Sequence, residues 1–205
     1  MSSRVPARLL QFLVGVALCA VAVWASVRAG LGVSPWDTLH GGLSAQLGVS
    51  FGAAVTAVGL LVLVVSWALG VRPGVGTLVN IVVIGWSLDA LLATSWLDGL
   101  RDGPIAVRAL VLAASVVVLG VGGALYIGAG LGAGPRDSLM VACHRRGLPI
   151  GASRCAIELM VVLVGWLLGG PVGVGTLVLA LGTGPVMQVA FRLLRRQPVR
   201  APRPT

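Results

Sequence analysis

Six long apolar blocks alternate with short polar or Gly/Pro-rich connections along this chain. An α-helix needs about 17–25 predominantly apolar residues to cross a hydrocarbon layer ~30 Å thick, and each block suits that requirement. The pattern therefore predicts six transmembrane helices. They lie near residues 9–27, 51–71, 75–95, 109–127, 153–170 and 172–194.

A shorter helix is predicted after the first block. The sequence Ser-Pro-Trp-Asp at 34–37 places Ser at the N-cap, Pro at the first helical position and an acidic residue near the positive end of the helix dipole. Apolar residues then recur at helical spacing as far as Leu47. A second start, Gly134 followed by Pro135, comes after the fourth block. Helices this short lie in the membrane interface or enter the membrane as re-entrant segments.

Two motifs occur twice, about one hundred residues apart. Gly30 to Leu39 reads Gly-Leu-Gly-Val-Ser-Pro-Trp-Asp-Thr-Leu, and Gly130 to Leu139 reads Gly-Leu-Gly-Ala-Gly-Pro-Arg-Asp-Ser-Leu. The sequence Gly-Val-Gly-Thr-Leu-Val stands at both 74–79 and 173–178. The chain is therefore an internal duplication.

The duplicated halves cover residues 8–100 and 108–194, with three predicted spans in each. An odd number of spans makes the second copy enter the membrane from the opposite side, as in many secondary transporters. We therefore expect one all-α membrane domain over 1–205, built from six transmembrane helices as two inverted three-helix repeats. Each repeat carries one short interfacial or re-entrant helix. Residues 195–205 are expected to form a disordered basic tail.

Composition supports a membrane protein and suggests its orientation. Hydrophobic residues make up 57% and charged residues 10% of the chain, which excludes a soluble domain. All 15 basic residues are arginines, and 12 of them lie on the cytoplasmic side if the N-terminus is inside. Arg28, Arg101 and Arg108 then lie outside, so both termini are predicted to be cytoplasmic. The net charge of +9 fits anionic lipid headgroups, and no nucleic-acid partner is expected.

Asp37 and Asp137 hold equivalent positions in the two repeats. As helix caps and dipole partners they need no further role. Alternatively, they guard opposite mouths of a pathway, with Asp37 on the outer side and Asp137 on the inner side. His40 follows Asp37 by three residues and is within reach of it, whereas His144 follows Asp137 by seven, so the two histidines are not equivalent.

Glu158 is the chain's only glutamate and lies within a predicted span. Arg154 precedes it by one helical turn, so an intrahelical ion pair is the plain interpretation. The first repeat has Gly59 and Val55 at these positions, which favours a role for the pair on one side only, such as proton coupling. Asp89 is the second acidic candidate within a span.

Threonine and asparagine form a polar stripe on the last predicted span of each repeat. Thr77, Asn80 and Ser87 share one face of the third span. Thr176 and Thr183 share one face of the sixth. Such a stripe either forms interhelical hydrogen bonds or lines a pathway.

The glycines and prolines of the motifs are predicted to permit close helix packing. A dinucleotide-binding site is not expected, because no strand precedes these glycines. This structural set comprises Gly30, Gly32, Pro35, Gly74, Gly76, Gly130, Gly132, Pro135, Gly173 and Gly175.

The duplicated Gly-Leu-Gly-x-x-Pro-x-Asp-x-Leu, the Trp36-Asp37 pair and the Gly-Val-Gly-Thr-Leu-Val-Asn segment resemble the bacterial YczE/YyaS/YitT-type membrane proteins. The second half departs from the pattern, since Arg136 replaces the tryptophan and Leu179 replaces Asn80. The resemblance implies a multi-pass protein of the bacterial cell membrane and implies no particular substrate.

Inverted repeats with paired helix starts and charged residues in spans favour a small transporter or permease for an unknown solute. The alternative is a membrane partner that does not transport, such as a regulatory or assembly subunit, and a substrate-capturing subunit is a third option. Formation of a homodimer is compatible with each of these three functions. No nucleophile with a nearby base, metal cluster or phosphate loop occurs on one membrane face, so neither an enzyme nor a cofactor is expected.

Overall fold

The computed structural model describes residues 4–132 and 134–194, and these residues form eight α-helices with no strand. The predicted tail, 195–205, lies outside the described residues. The helices are α1 (Arg4–Ala29), α2 (Pro35–Leu47), α3 (Phe51–Ala68), α4 (Val75–Leu92), α5 (Ile105–Gly128), α6 (Pro135–His144), α7 (Ile150–Leu167) and α8 (Val174–Leu193). A short 3₁₀ helix, Asp98–Asp102, connects α4 to α5.

Five of the described helices are long and apolar enough to cross a membrane: α1, α3, α4, α5 and α8. Their mean hydropathy lies between 1.6 and 2.4. These helices identify the chain as an α-helical membrane protein. The span predicted over 153–170 coincides with α7, which has 18 residues but carries Arg154 and Glu158. Its crossing of the membrane remains a prediction.

Helices α1 and α5 run antiparallel and form the most extensive helix pair in the described part of the chain. The Nε of Arg8 donates to the carbonyl of Ala129 at 2.8 Å, and the Nε of Arg108 donates to the carbonyl of Ala29 at 2.9 Å. Each arginine therefore covers the C-terminal end of the other helix, where carbonyl groups lack helical partners. These matched contacts join equivalent positions of the two repeats.

Each duplicated motif contacts the other motif in the opposite half. The carbonyl of Leu131 accepts a hydrogen bond from the N–H of Gly76 at 3.0 Å, and the carbonyl of Leu31 accepts one from the N–H of Gly175 at 2.8 Å. The loops adopt left-handed backbone at Gly32 (φ 117°) and at its counterpart Gly132 (φ 146°), where a side chain would be strained. Positive φ also occurs at Gly30 and Gly130, and the loops contact the helix starts at Gly74 and Gly173.

Helices α2 and α6 are half-length helices that begin beside the middle of longer ones. Trp36 packs with Val58 and Val62 of α3, and Ile157 and Val161 of α7 pack against the same cluster. The 13 residues of α2 extend roughly 20 Å at 1.5 Å per residue, which is too short to span. The far ends of both helices reach the ends of their neighbours: Gln46 donates to the carbonyl of Leu168, and Arg145 and Arg146 donate to those of Gly70 and Leu69.

Gly76→Ala tests the contact between the halves. A Cβ at Gly76 would lie 2.6 Å from the carbonyl oxygen of Leu131. We expect this crowding to lower the free energy of unfolding by roughly 1–3 kcal/mol, measured by unfolding of the protein in mixed detergent micelles. Gly99→Ala is the control, because a Cβ there meets nothing within 4 Å. Equal stability of the two variants would contradict the close contact.

Candidate functional site

The start of α2 is a compact hydrogen-bonded unit. Ser34 is the N-cap, as predicted, and its hydroxyl accepts a hydrogen bond from the N–H of Asp37 at 3.4 Å. The same hydroxyl donates to Oδ2 of Asp37 at 2.5 Å, and Nδ1 of His40 lies 3.2 Å from Oδ1. Asp37 and His40 are 1% and 2% exposed, so they are buried polar groups that contact each other. The contact between Asp37 and His40 that their spacing allowed is therefore present.

The start of α6 has the same geometry with different chemistry. Gly134 replaces serine at the N-cap and therefore provides no side-chain cap. Asp137 instead accepts a hydrogen bond from the hydroxyl of Tyr126, a residue of α5, at 3.1 Å. A neighbouring helix thus supplies the hydroxyl that Ser34 provides locally in the first repeat.

The two helix starts meet, which corrects the prediction that Asp37 and Asp137 lie at opposite mouths of a pathway. The guanidinium carbon of Arg136 lies 5.2 Å from the centre of the Trp36 ring, as in a cation–π contact. Nη2 of Arg136 lies 3.9 Å from Oδ1 of Asp37. Asp37 and Asp137 line the same cavity, so the two helix starts do not lie on opposite faces of the protein. The error arose from assuming that each connection stays near the membrane surface.

A cavity of about 180 Å³ lies where these helix starts meet, and all eight described helices contribute to its wall. Its apolar lining comes mainly from α3, α4 and α5. The polar and ionisable lining residues are Cys19, Trp36, Asp37, His40, Asn80, Tyr126, Arg136, Asp137, Arg154, Glu158 and Thr183.

Arg154 and Glu158 form the predicted ion pair on the α7 side of this cavity. Nε of Arg154 lies 2.9 Å from Oε1 of Glu158, and the two side chains are 38% and 17% exposed. In the first repeat, Gly59 stands at the position of Glu158 and allows Ile81 to pack closely. The ion pair therefore occupies a place where the first repeat has tight helix packing.

The seam between α7 and α8 is consequently more open than its counterpart. Helix α3 packs extensively on α4, whereas the described residues of α7 make few contacts with α8. Gly52 and Gly85 approach each other closely across the first seam. At the matching position of the second seam, the nearest described atom to a Cβ on Gly184 is Nη1 of Arg154, at 3.9 Å. The cavity thus borders a loosely packed seam on one side of the protein.

Three of the predicted pathway residues lie elsewhere. Asp89 accepts hydrogen bonds from the Ser50 hydroxyl at 2.6 Å and from the N–H of Gly52 at 2.7 Å, so it stabilises the start of α3. Thr176 accepts from the N–H of Gly173 at 3.2 Å in the first turn of α8. Thr77 occupies the same place in α4 and lies beside Gly132. The predicted polar stripe therefore reaches the cavity at Asn80, but not at either threonine of the helix starts.

Arg136 and Tyr126 line the cavity but were not predicted as site residues. Arg136 departs from the tryptophan pattern, and the motif alignment pairs it with Trp36, on which it stacks. Tyr126 is the single tyrosine of the chain and gives no local signal. Of these two, only Arg136 could have been found by comparing the repeats. Thr183, which belongs to the predicted polar stripe of α8, is 9% exposed and reaches the cavity from the middle of that helix.

The site therefore combines acidic, basic and aromatic groups in the interior of a helical membrane protein. Within 4–132 and 134–194, no group of three or more His, Cys, Asp or Glu residues could hold a metal ion. The class defined by fold and site is a multi-pass α-helical membrane protein with a polar cavity between half-length helices.

The chain belongs to the family described as a family of unknown function, DUF6198, whose model matches residues 6–192. It is 38% identical over 175 residues to an uncharacterized protein of Haemophilus influenzae, covering 84% of this chain and 78% of the relative. It is 32% identical over 187 residues to the uncharacterized membrane protein YczE of Bacillus subtilis, covering 88% and 83%.

A third relative, the uncharacterized protein YyaS of Bacillus subtilis, is 23% identical over 189 residues, covering 89% of this chain and 92% of the relative. The resemblance to YczE- and YyaS-type proteins is thereby confirmed. No solved structure matches the chain.

A double-mutant cycle tests the ion pair of α7. Arg154→Val, which introduces the first repeat's residue, leaves the carboxylate of Glu158 without its partner, and we expect a loss of roughly 1–3 kcal/mol in the free energy of unfolding. Glu158→Ala and the double variant complete the cycle. We expect a coupling energy of about 0.5–3 kcal/mol, measured in detergent micelles. Additive effects would show that the two side chains do not stabilise each other.

Proposed function

We propose that this protein is a small transporter, or permease, for a small solute in the bacterial cell membrane. The observation that carries the proposal is the meeting of two half-length helices, α2 and α6, in one cavity lined by charged residues of both repeats. Transporters of inverted-repeat type bind their substrates where discontinuous helices end near the middle of the bilayer.

The matched contacts between the halves support an inverted-repeat architecture with six spans. Equivalent arginines, Arg8 and Arg108, bond to equivalent carbonyl groups of antiparallel helices. In this architecture α7 is the fifth of six spans in chain order, and α2 and α6 are re-entrant. Their irregular starts are acceptable within a membrane because the protein surrounds them.

The cost of charged groups supports a functional role for the cavity. A single Asp or Arg at the centre of a membrane helix costs about 2.5–3.5 kcal/mol by insertion scales, so such residues face protein interiors or aqueous paths. This cavity contains Asp37, Asp137 and Glu158 together with Arg136 and Arg154. In the first repeat, Gly59 stands at the position of Glu158 and packs tightly against a neighbouring helix. The same packing in the second repeat would give a more stable fold than these charges do.

The loosely packed seam between α7 and α8 provides a way for the cavity to open. Helices that pack through glycines at close range resist separation, whereas α7 and α8 have few contacts to break. In the proposed cycle, movement of these helices exposes the cavity to one side of the membrane. Glu158, at this seam, carries the coupling proton.

Cysteine labelling tests the proposed orientation, with both termini in the cytoplasm. In a protein lacking Cys19, Cys143 and Cys155, a cysteine at the exposed Gly99 should react with an impermeant thiol reagent on intact cells. A cysteine at Leu148, which is 52% exposed at the other end of the protein, should react only after permeabilisation. The reverse pattern would invert the proposed topology.

Reconstitution in liposomes tests transport itself. We expect purified protein to accumulate a solute from a panel of small metabolites, with uptake that depends on an imposed pH gradient. Glu158→Gln should fold and insert but lose the dependence on the gradient. Asp89→Asn is the matched control, since Asp89 is also an acid in a membrane helix but lies outside the cavity.

Inactivity of folded protein toward the whole panel would contradict the proposal. If the protein also purified from its native membrane in a fixed ratio with a second membrane protein, the assembly-subunit alternative would replace it.

A further inference from the structure

Two hydrogen-bond donors in the wall of the cavity have no partner among the described residues. They are Nε1 of Trp36 and Nδ2 of Asn80, which are buried, and the two residues are 4% and 6% exposed. Buried polar groups in proteins nearly always have a partner, and leaving one unpaired costs about 1–3 kcal/mol. Both side chains line the same cavity, so one bound molecule can provide acceptors for both.

The three carboxylates of the cavity, in contrast, each contact at least one polar group of the protein. Asp37 is held by Ser34 and His40, Asp137 accepts from Tyr126, and Glu158 accepts from Arg154. The carboxylates therefore already have donors, whereas the donors of Trp36 and Asn80 lack an acceptor among the described residues. A molecule that offers acceptors would supply what these two donors lack.

Arg136 adds a positive charge to the two unpaired donors. Its Nη2 lies 3.9 Å from Oδ1 of Asp37, beyond ordinary hydrogen-bond distance, and its guanidinium lies over the ring of Trp36, whose Nε1 lacks a partner among the described residues. A guanidinium has five N–H donors in a planar fork that suits a carboxylate. Trp36, Asn80 and Arg136 thus form a donor set contributed by three helices, α2, α4 and α6.

We propose that the cavity binds a small monocarboxylate whose oxygens accept hydrogen bonds from Trp36, Asn80 and Arg136. The inference rests on the proposed function, because it names the class of solute that the transporter would carry. A cavity of about 180 Å³ limits this solute to a few carbon atoms.

Charge balance requires that a proton accompanies the carboxylate. The cavity has three carboxylates against two guanidinium groups, with His40 as a further titratable group, and a bound anion adds to the excess negative charge. Uncompensated charge is strongly disfavoured in a membrane interior. One proton is therefore taken from water for each carboxylate bound and is carried by the cavity. The facing ionisable groups are Asp37 and His40 on α2, Arg136 and Asp137 on α6, and Arg154 and Glu158 on α7, with the neutral Cys19 on α1 and Tyr126 on α5.

Calorimetric titration of the full chain in lipid nanodiscs with acetate tests this inference without requiring transport. We expect saturable binding, and titrations in two buffers with different ionisation enthalpies should give an uptake of one proton per acetate. Trp36→Phe removes the indole N–H donor and keeps an aromatic ring beneath Arg136, and Asn80→Leu introduces the residue found at 179. Each should weaken acetate binding by roughly 10–100-fold, the loss expected for one hydrogen bond to a charged group.

Trp24→Phe is the matched control. Nε1 of Trp24 is also buried without a partner, but Trp24 does not line the cavity, so this variant should bind acetate as the unmodified protein does. Thermal unfolding of each variant in nanodiscs establishes that it is folded.

The remaining outcomes would overturn the inference. Absence of acetate binding to folded protein, or equal binding by all three variants, rules out the proposed donor set. Equal binding of acetamide without proton uptake would identify a neutral solute, and tighter binding of glycine without proton uptake would identify a zwitterion. Acetate binding without transport in liposomes would refute the proposed function alone, and transport of another solute without acetate binding would refute this inference alone.

Discussion

The carbonyl groups of Leu31 and Leu131 each accept a hydrogen bond from the first turn of a helix in the other half. This exchange positions the loops before α2 and α6, and the position of the loops determines where the two half-length helices begin. Glycine is required on both sides of the contact, because a Cβ at Gly76 or Gly175 would lie within 3 Å of the accepting carbonyl. The duplicated motifs therefore join the two halves, and the cavity lies where the helices that follow these loops begin.

Much of this architecture could be predicted from short-range patterns. Apolar blocks indicated the long helices, and the Ser-Pro-x-Asp sequence indicated the start of α2, because capping depends on residues within one helical turn. The ion pair of Arg154 with Glu158 followed from their spacing on one helix. Each of these features is local, so a single sequence contains the information needed.

The depth of the half-length helices could not be predicted in the same way. Capping residues tell where a helix begins along the chain, but depth in the protein depends on contacts with the other half. The alternative that placed Asp37 and Asp137 at opposite mouths failed for this reason, whereas their predicted position in the first turn of a helix is as the structure has it. Asp89 was likewise placed on a pathway, but it contacts Ser50, a residue 39 positions away. Tyr126 reaches Asp137 only because α5 passes beside α6. Such pairs are determined by tertiary packing, which no pattern within one helix encodes.

The arginines at the two ends of the protein cap helices in addition to carrying positive charge. Arg8, Arg108, Arg145 and Arg146 each donate to a backbone carbonyl near the end of a helix, and Arg28 donates to those of Leu92 and Thr94. Membrane proteins can reverse their insertion during evolution by exchanging a few positive residues between loops. In this protein each such exchange would also leave helix ends uncapped. Its orientation is therefore tied to its folding stability, and the two properties must evolve together.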